Sequence, residues 1–78
     1  MAPTDRWGSR LGTQAARINE LLSGGAFLSI NEVFSILVRE FPRTTVGRVR
    51  QHCYWLRKNH PSRLQERRAG RRVSYRLV

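Results

Sequence analysis

The sequence predicts an α+β domain, mainly α, with three helices followed by a C-terminal β-hairpin. Three observations carry this expectation. Apolar residues recur at helical spacing in three separate stretches, and the last stretch of the chain switches to a period of two around a glycine. With 78 residues, 40% of them hydrophobic, the chain can bury one modest core, which excludes a large two-lobed enzyme.

Residues 1–10 carry Pro3, Gly8 and Ser9 without an apolar period, so they read as a flexible N-terminal tail from which Trp7 alone would dock back. The domain proper is 11–78. Leu11, Ala15, Ile18 and Leu22, with Leu21 beside them, fall on one helical face and predict a first helix over about 13–22. Ser23, Gly24 and Gly25 stop it, because glycine supplies the left-handed conformation that ends helices. These glycines lack the spacing and the Lys-Ser/Thr of a phosphate loop. Ala26, Phe27 and Leu28 are too few for a helix and predict one strand of a small sheet.

Ser29 and Glu32 have the spacing of a capping box and mark the start of a second helix. Ile30, Val33, Phe34, Leu37, Val38 and Phe41 form a broad apolar stripe along it. Pro42 disfavours helical geometry at Phe41, and Thr44 or Thr45 can cap a third helix after a tight turn. That helix is expected over about 45–59, with Val46, Val49, Cys53 and Leu56 facing inward and Asn59, His60 and Pro61 ending it. In the remainder, Val73, Tyr75 and Leu77 alternate with Arg72, Ser74 and Arg76, and Gly70 stands where a hairpin tip is wanted. Residues 63–78 therefore read as an antiparallel hairpin, with Tyr75 in the core.

Charge is segregated along this plan. The chain holds 15 Lys and Arg against 5 Asp and Glu, for a net charge of +10. Arg6, Arg10, Arg17 and Arg39 balance Asp5, Glu20, Glu32 and Glu40 over residues 1–42, whereas residues 43–78 hold the remaining 11 cations against Glu66 alone. Such a half repels itself unless a polyanion relieves it, which points to nucleic acid ahead of an anionic membrane. All the cations but Lys58 are arginine, the residue suited to bidentate phosphate and guanine contacts. A membrane surface is disfavoured because the basic helix needs its apolar face for the core.

The order of elements, with the capped helix from Ser29, the turn Phe41-Pro42-Arg43-Thr44, the basic helix from Thr45 and the hairpin around Ala69-Gly70, resembles the winged helix-turn-helix family over residues 11–78. A chain this small and basic also looks like a stand-alone regulator of a phage or other mobile element. The resemblance implies double-stranded DNA binding, with the third helix in the major groove and the hairpin as a wing on an adjacent minor groove or backbone.

Helical geometry agrees, since the face opposite Val46, Val49, Cys53 and Leu56 presents Thr44, Gly47, Arg48, Gln51, Trp55 and Lys58. Arg48 and Gln51 suit guanine and adenine edges, and Thr44, Gly47 and Trp55 complete the expected base-contact set. Gly47 would let the helix backbone approach the groove closely. Arg43, Thr45, Arg50, Arg57 and Lys58 are expected on the DNA backbone, with free amides at the helix N-terminus helping Thr44 and Thr45 hold a phosphate. Arg67, Arg68, Arg71 and Arg72 are the expected wing contacts, and Arg76 is a weaker one. Tyr54 and Trp55 could stack on sugars or bases, but packing against the hairpin or second helix is the favoured reading.

Other functions rank lower. A protein-interaction module is the main alternative, the basic half then meeting an acidic partner. RNA binding comes next, without a Gly-X-X-Gly loop or a recognition-motif signature to support it. No catalytic, cofactor or metal site is expected, because Cys53 reads as core, neighbouring His52 and Cys53 diverge on a helix, and the basic half lacks paired acids. One cysteine, no signal-like apolar stretch in the N-terminal segment and no membrane-length apolar window predict a soluble, cytoplasmic protein, nucleoid-associated if bacterial or phage. Monomer and homodimer fit equally.

Overall fold

A computed structural model describes residues 3–78. Thr13 caps α1 (Gln14–Leu22), its hydroxyl oxygen accepting the Ala16 amide proton at 3.3 Å. Ser29 opens α2 (Ile30–Glu40) through the expected capping box: its Oγ accepts from the Glu32 amide at 3.2 Å, and the Glu32 carboxylate accepts from the Ser29 amide at 3.0 Å. Phe41 closes α2, and the Thr44 amide donates to the Phe41 carbonyl at 2.9 Å across the turn that Pro42 begins. Thr45 then caps α3 (Val46–Asn59) by accepting from the Arg48 amide at 3.1 Å.

The chain ends in strands β2 (Leu64–Ala69) and β3 (Arg72–Leu77), paired antiparallel from Leu64↔Leu77 to Ala69↔Arg72. Gly70 has φ +62° and is followed by Arg71 in an ordinary conformation, the pattern of a type II′ turn, which requires glycine at its first central position. The expected early strand exists as β1 (Leu28–Ser29), later than the Ala26–Leu28 run that predicted it, and pairs with β3 through Leu28↔Tyr75 and Ser29↔Ser74. The sheet order is β1-β3-β2, so the fold is the α+β, winged-helix-like layout expected.

One core joins these elements. Ile18 and Leu22 of α1, Val33 and Leu37 of α2, Val49, Cys53 and Leu56 of α3, and Leu77 of β3 are buried together, with Ile30, Phe34, Phe41, Leu64 and Tyr75 packed around them. The inner face of α1 differs from expectation. Leu11 lies outside the helix and is 52% exposed, while Ala16 and Asn19 are buried in its place.

Asn19 explains the shift, because it anchors the N-terminal segment. Its amide nitrogen donates to Asp5 Oδ2 at 2.9 Å and Ser9 Oγ at 3.0 Å, and its carbonyl oxygen lies 2.7 Å from His52 Nε2. Asp5 Oδ1 in turn accepts from the amides of Trp7 and Ser9, both at 2.9 Å. Trp7 is 6% exposed within the core, and its carbonyl accepts from His60 Nε2 at 2.9 Å. Residues 3–10 are therefore a docked loop, closed by a bridge between Thr4 and Arg10, in place of the expected free tail. The first two residues of that tail lie outside the described residues. Among the described residues, no helix is long and apolar enough to cross a membrane.

Candidate nucleic-acid interface

Burial of Val49, Cys53 and Leu56 fixes how α3 is rotated, and at about 100° per residue the rest of the helix follows. Gly47, Gln51 and Lys58 occupy the centre of the exposed face. Arg48, Gln51 and Trp55 border a groove shared with α1, lined there by Thr13, Gln14 and Ile18. Arg50, Tyr54 and Arg57 flank the opposite side, toward the hairpin. The structure thus brings Gly47, Arg48, Gln51, Trp55 and Lys58 onto one exposed surface, as the helical spacing predicted.

Thr44 does not join them. It is 6% exposed, and its buried hydroxyl has no hydrogen-bond partner among the described residues. The tight turn points this side chain inward and leaves Thr45 to cap the helix, so the expected base contact by Thr44 is withdrawn. Thr45 remains exposed, and its hydroxyl proton is still free to donate. Arg43, beside them, is exposed.

The aromatic pair also departs from expectation. Tyr54 is 65% exposed and Trp55 39%, so neither is packed away against the hairpin or α2. Trp55 stacks on His52, with ring centroids 5.4 Å apart and planes at 14°, and meets the edge of His60 at 5.6 Å. Since the Asn19 carbonyl and the Trp7 carbonyl can only accept, the two histidines donate to them through Nε2. Burial lowers the His52 pKa from its usual 6.5, partly offset by the Asp5 carboxylate, which favours the neutral ring in this role.

Register divides the wing arginines between two faces, because residues paired across an antiparallel hairpin share a face. Glu66 pairs with Tyr75 and Arg68 with Val73, which places Arg68 on the α3 side. There Glu66 takes up Arg57 of α3 and, at 3.4 Å, Arg68. Arg67 pairs with Ser74 on the other face, where its guanidinium lies 4.6 Å from the centre of the Phe27 ring. Arg76 covers the same ring at 4.4 Å and donates to Gln65 and to the Gly25 carbonyl. At the tip, Arg72 binds Glu32 at 2.6 Å while Arg71 is exposed. The Ser29 amide and Arg72 together hold the Glu32 carboxyl down at about 2.

A sorting of the cations follows. Arg57, Arg68 and Arg72 have acidic partners, whereas Arg43, Arg48, Arg50, Lys58, Arg67 and Arg71 have none among the described residues. Of the unpaired cations, Arg50 of α3 and Arg71 of the wing tip line one concavity, together with the Arg72–Glu32 pair and the start of α2. Sequence reasoning named these cations but favoured a packed Tyr54 and missed the role of Glu66. The parity of Glu66 with Leu64, set against Val73, Tyr75 and Leu77, was the available signal.

Burial pushes the Cys53 thiol up to about 11, far from a nucleophilic thiolate at neutral pH. Among the described residues, no group of three or more His, Cys, Asp or Glu side chains could hold a metal ion. No protein-family model matches the chain, and no curated protein matches it.

Proposed function

We propose that this protein binds double-stranded DNA in a sequence-specific manner, α3 entering the major groove and the β2-β3 hairpin acting as a basic wing. The observation that carries this reading is the exposed face of α3. Gly47, Arg48, Gln51 and Lys58 stand on it, with Arg50 at its edge, and no acid within salt-bridge distance offsets these cations among the described residues. A helix of 14 residues is about 21 Å long, and the major groove of about 12 Å admits its width. Arg48 and Gln51 read base edges, Trp55 reaches the groove wall, and Arg43, Thr45, Arg50 and Lys58 position the helix on phosphates. Arg71 and Arg67 extend the contact along the wing. The protein acts by binding, without a catalytic centre or cofactor, as a transcriptional regulator or as a recombination or architectural factor.

Salt dependence tests the proposal. About six phosphate contacts give log affinity against log salt a slope near −5. A flat response on every duplex would overturn it. In that case the same unpaired cations suit an acidic protein surface, and a pull-down surviving nuclease treatment would favour the interaction-module reading.

A further inference from the structure

The junction of α3 and the hairpin holds a concavity of about 180 Å³ lined by Ile30, Arg50, Cys53, Tyr54, Arg57, Arg68 and Tyr75. Three guanidinium groups and the two phenols of Tyr54 and Tyr75 line it, alongside the apolar side chains of Ile30 and Cys53. Glu66 supplies the nearest negative charge, its two carboxylate oxygens divided between Arg57 and Arg68. The Glu66 side chain is 27% exposed, against 50% for Arg57 and 69% for Arg68, so the acid sits deeper than the cations it holds. Arg50 faces the same cleft without an acid of its own among the described residues.

A carboxylate bridging two guanidiniums makes the contacts that a phosphate oxygen pair would make. We propose that this cleft is a phosphate-binding site formed by Arg50, Arg57, Arg68 and the Tyr54 hydroxyl, in which Glu66 is a resident counter-ion that an incoming phosphate must displace or share. The assignment of that phosphate to a DNA backbone rests on the function proposed above, while the anion chemistry of the cleft stands without it. Glu66 thereby lowers affinity for every duplex alike. It keeps Arg57 and Arg68 paired in the unbound protein and raises the relative weight of the Arg48 and Gln51 contacts, which read sequence.

The test compares Glu66→Gln with Glu20→Gln, the same charge change on α1, where Glu20 pairs with Arg17 at 3.4 Å. Glutamine at position 66 keeps an acceptor for the arginines and removes the charge. Thermal melts first establish that both variants are folded. The expected result is that Glu66→Gln binds a scrambled duplex at least threefold more tightly than wild type, with a salt slope steeper by about one, the contribution of one further phosphate contact. Glu20→Gln should gain less than half as much and leave the slope unchanged. Equal gains from the two variants, or affinity in Glu66→Gln at or below wild type, would overturn the proposal and make Glu66 a strut for the two arginines.

A titration with inorganic phosphate against chloride at matched ionic strength separates the anion site from the DNA reading. If no duplex binds, a phosphate-dependent rise in melting temperature that is larger in Glu66→Gln than in wild type still supports the cleft as a site for free phosphate. Failure of both arms overturns the cleft and the DNA reading together.

Discussion

Arg48 and Arg71 show how position sets the role of one residue type. Arg48 projects from the first turn of α3 beside Gln51, whereas Arg71 stands exposed at a hairpin tip, where in the proposed complex it would meet phosphate or a minor groove irrespective of sequence. Arg48→Ala should therefore reduce discrimination between a preferred and a scrambled duplex by about 1–3 kcal/mol. Arg71→Ala should weaken both duplexes equally and lower the salt slope by about one. Competition binding with the two duplexes checks this, and the reverse pattern would exchange the roles of helix and wing. At this scale the exposed cations of α3 were legible in the sequence, because three buried residues fix the rotation of the helix. Thr44 was not, since a residue in a turn has no helical phase to predict its direction. Nor was Tyr54, because aromatic side chains are equally at home on a core and on a surface.

Elements carry the next consequence. Gly47 lies in the first turn of α3, and a Cβ added there would meet nothing nearer than Thr45 Oγ1 at 3.8 Å. The fold has room for alanine, which would stabilise the helix by about 0.5–1 kcal/mol relative to glycine. Gly47→Ala should accordingly raise the melting temperature while weakening duplex binding, because in the proposed complex the methyl group would stand between helix backbone and groove. Unchanged binding in a stabilised variant would remove close approach at Gly47 from the account. The caps and turns of α2, α3 and the hairpin were readable because each depends on neighbours within a few residues. Strand β1 was displaced toward Ser29 because its partner β3 lies more than forty residues away, and that register is set by the sheet and not by local propensity.

At the scale of the whole molecule, the N-terminal loop is part of the domain. Trp7 completes the core, and Asp5, Ser9, Asn19 and His52 form one polar network linking loop, α1 and α3. Trp7→Ala should cost about 3–5 kcal/mol, a large share of the stability of a domain this small, measured by urea denaturation. A loss below about 1 kcal/mol would mean that the loop is dispensable. The docking of Trp7 was expected, but the network that holds the rest of the loop was hidden from the sequence because it rests on contacts between distant residues, two of them polar and buried. Histidine adds a pH dependence. His52 has its pKa lowered below 6.5 by burial, so the unfolded chain binds a proton that the folded chain resists. Stability from this group is complete above pH 6.5 and declines as pH falls below it. A separate loss follows between about 4.5 and 2, where Glu32 takes up a proton and releases the Ser29 amide and Arg72. His52→Gln should flatten the first decline and leave the second, and an unaltered profile would contradict this assignment.

The segregated charge, neutral before residue 43 and +10 beyond it, is carried by the α3 and hairpin half of the molecule, whose unpaired cations include Arg48, Arg50 and Lys58 on the exposed surface of α3. Selection from a random duplex library, with sequencing of the bound fraction, tests most directly whether that surface reads DNA. The account predicts enrichment of one motif that binds more tightly than its scrambled counterpart. Uniform recovery of all sequences, or no recovery at moderate salt, would contradict it.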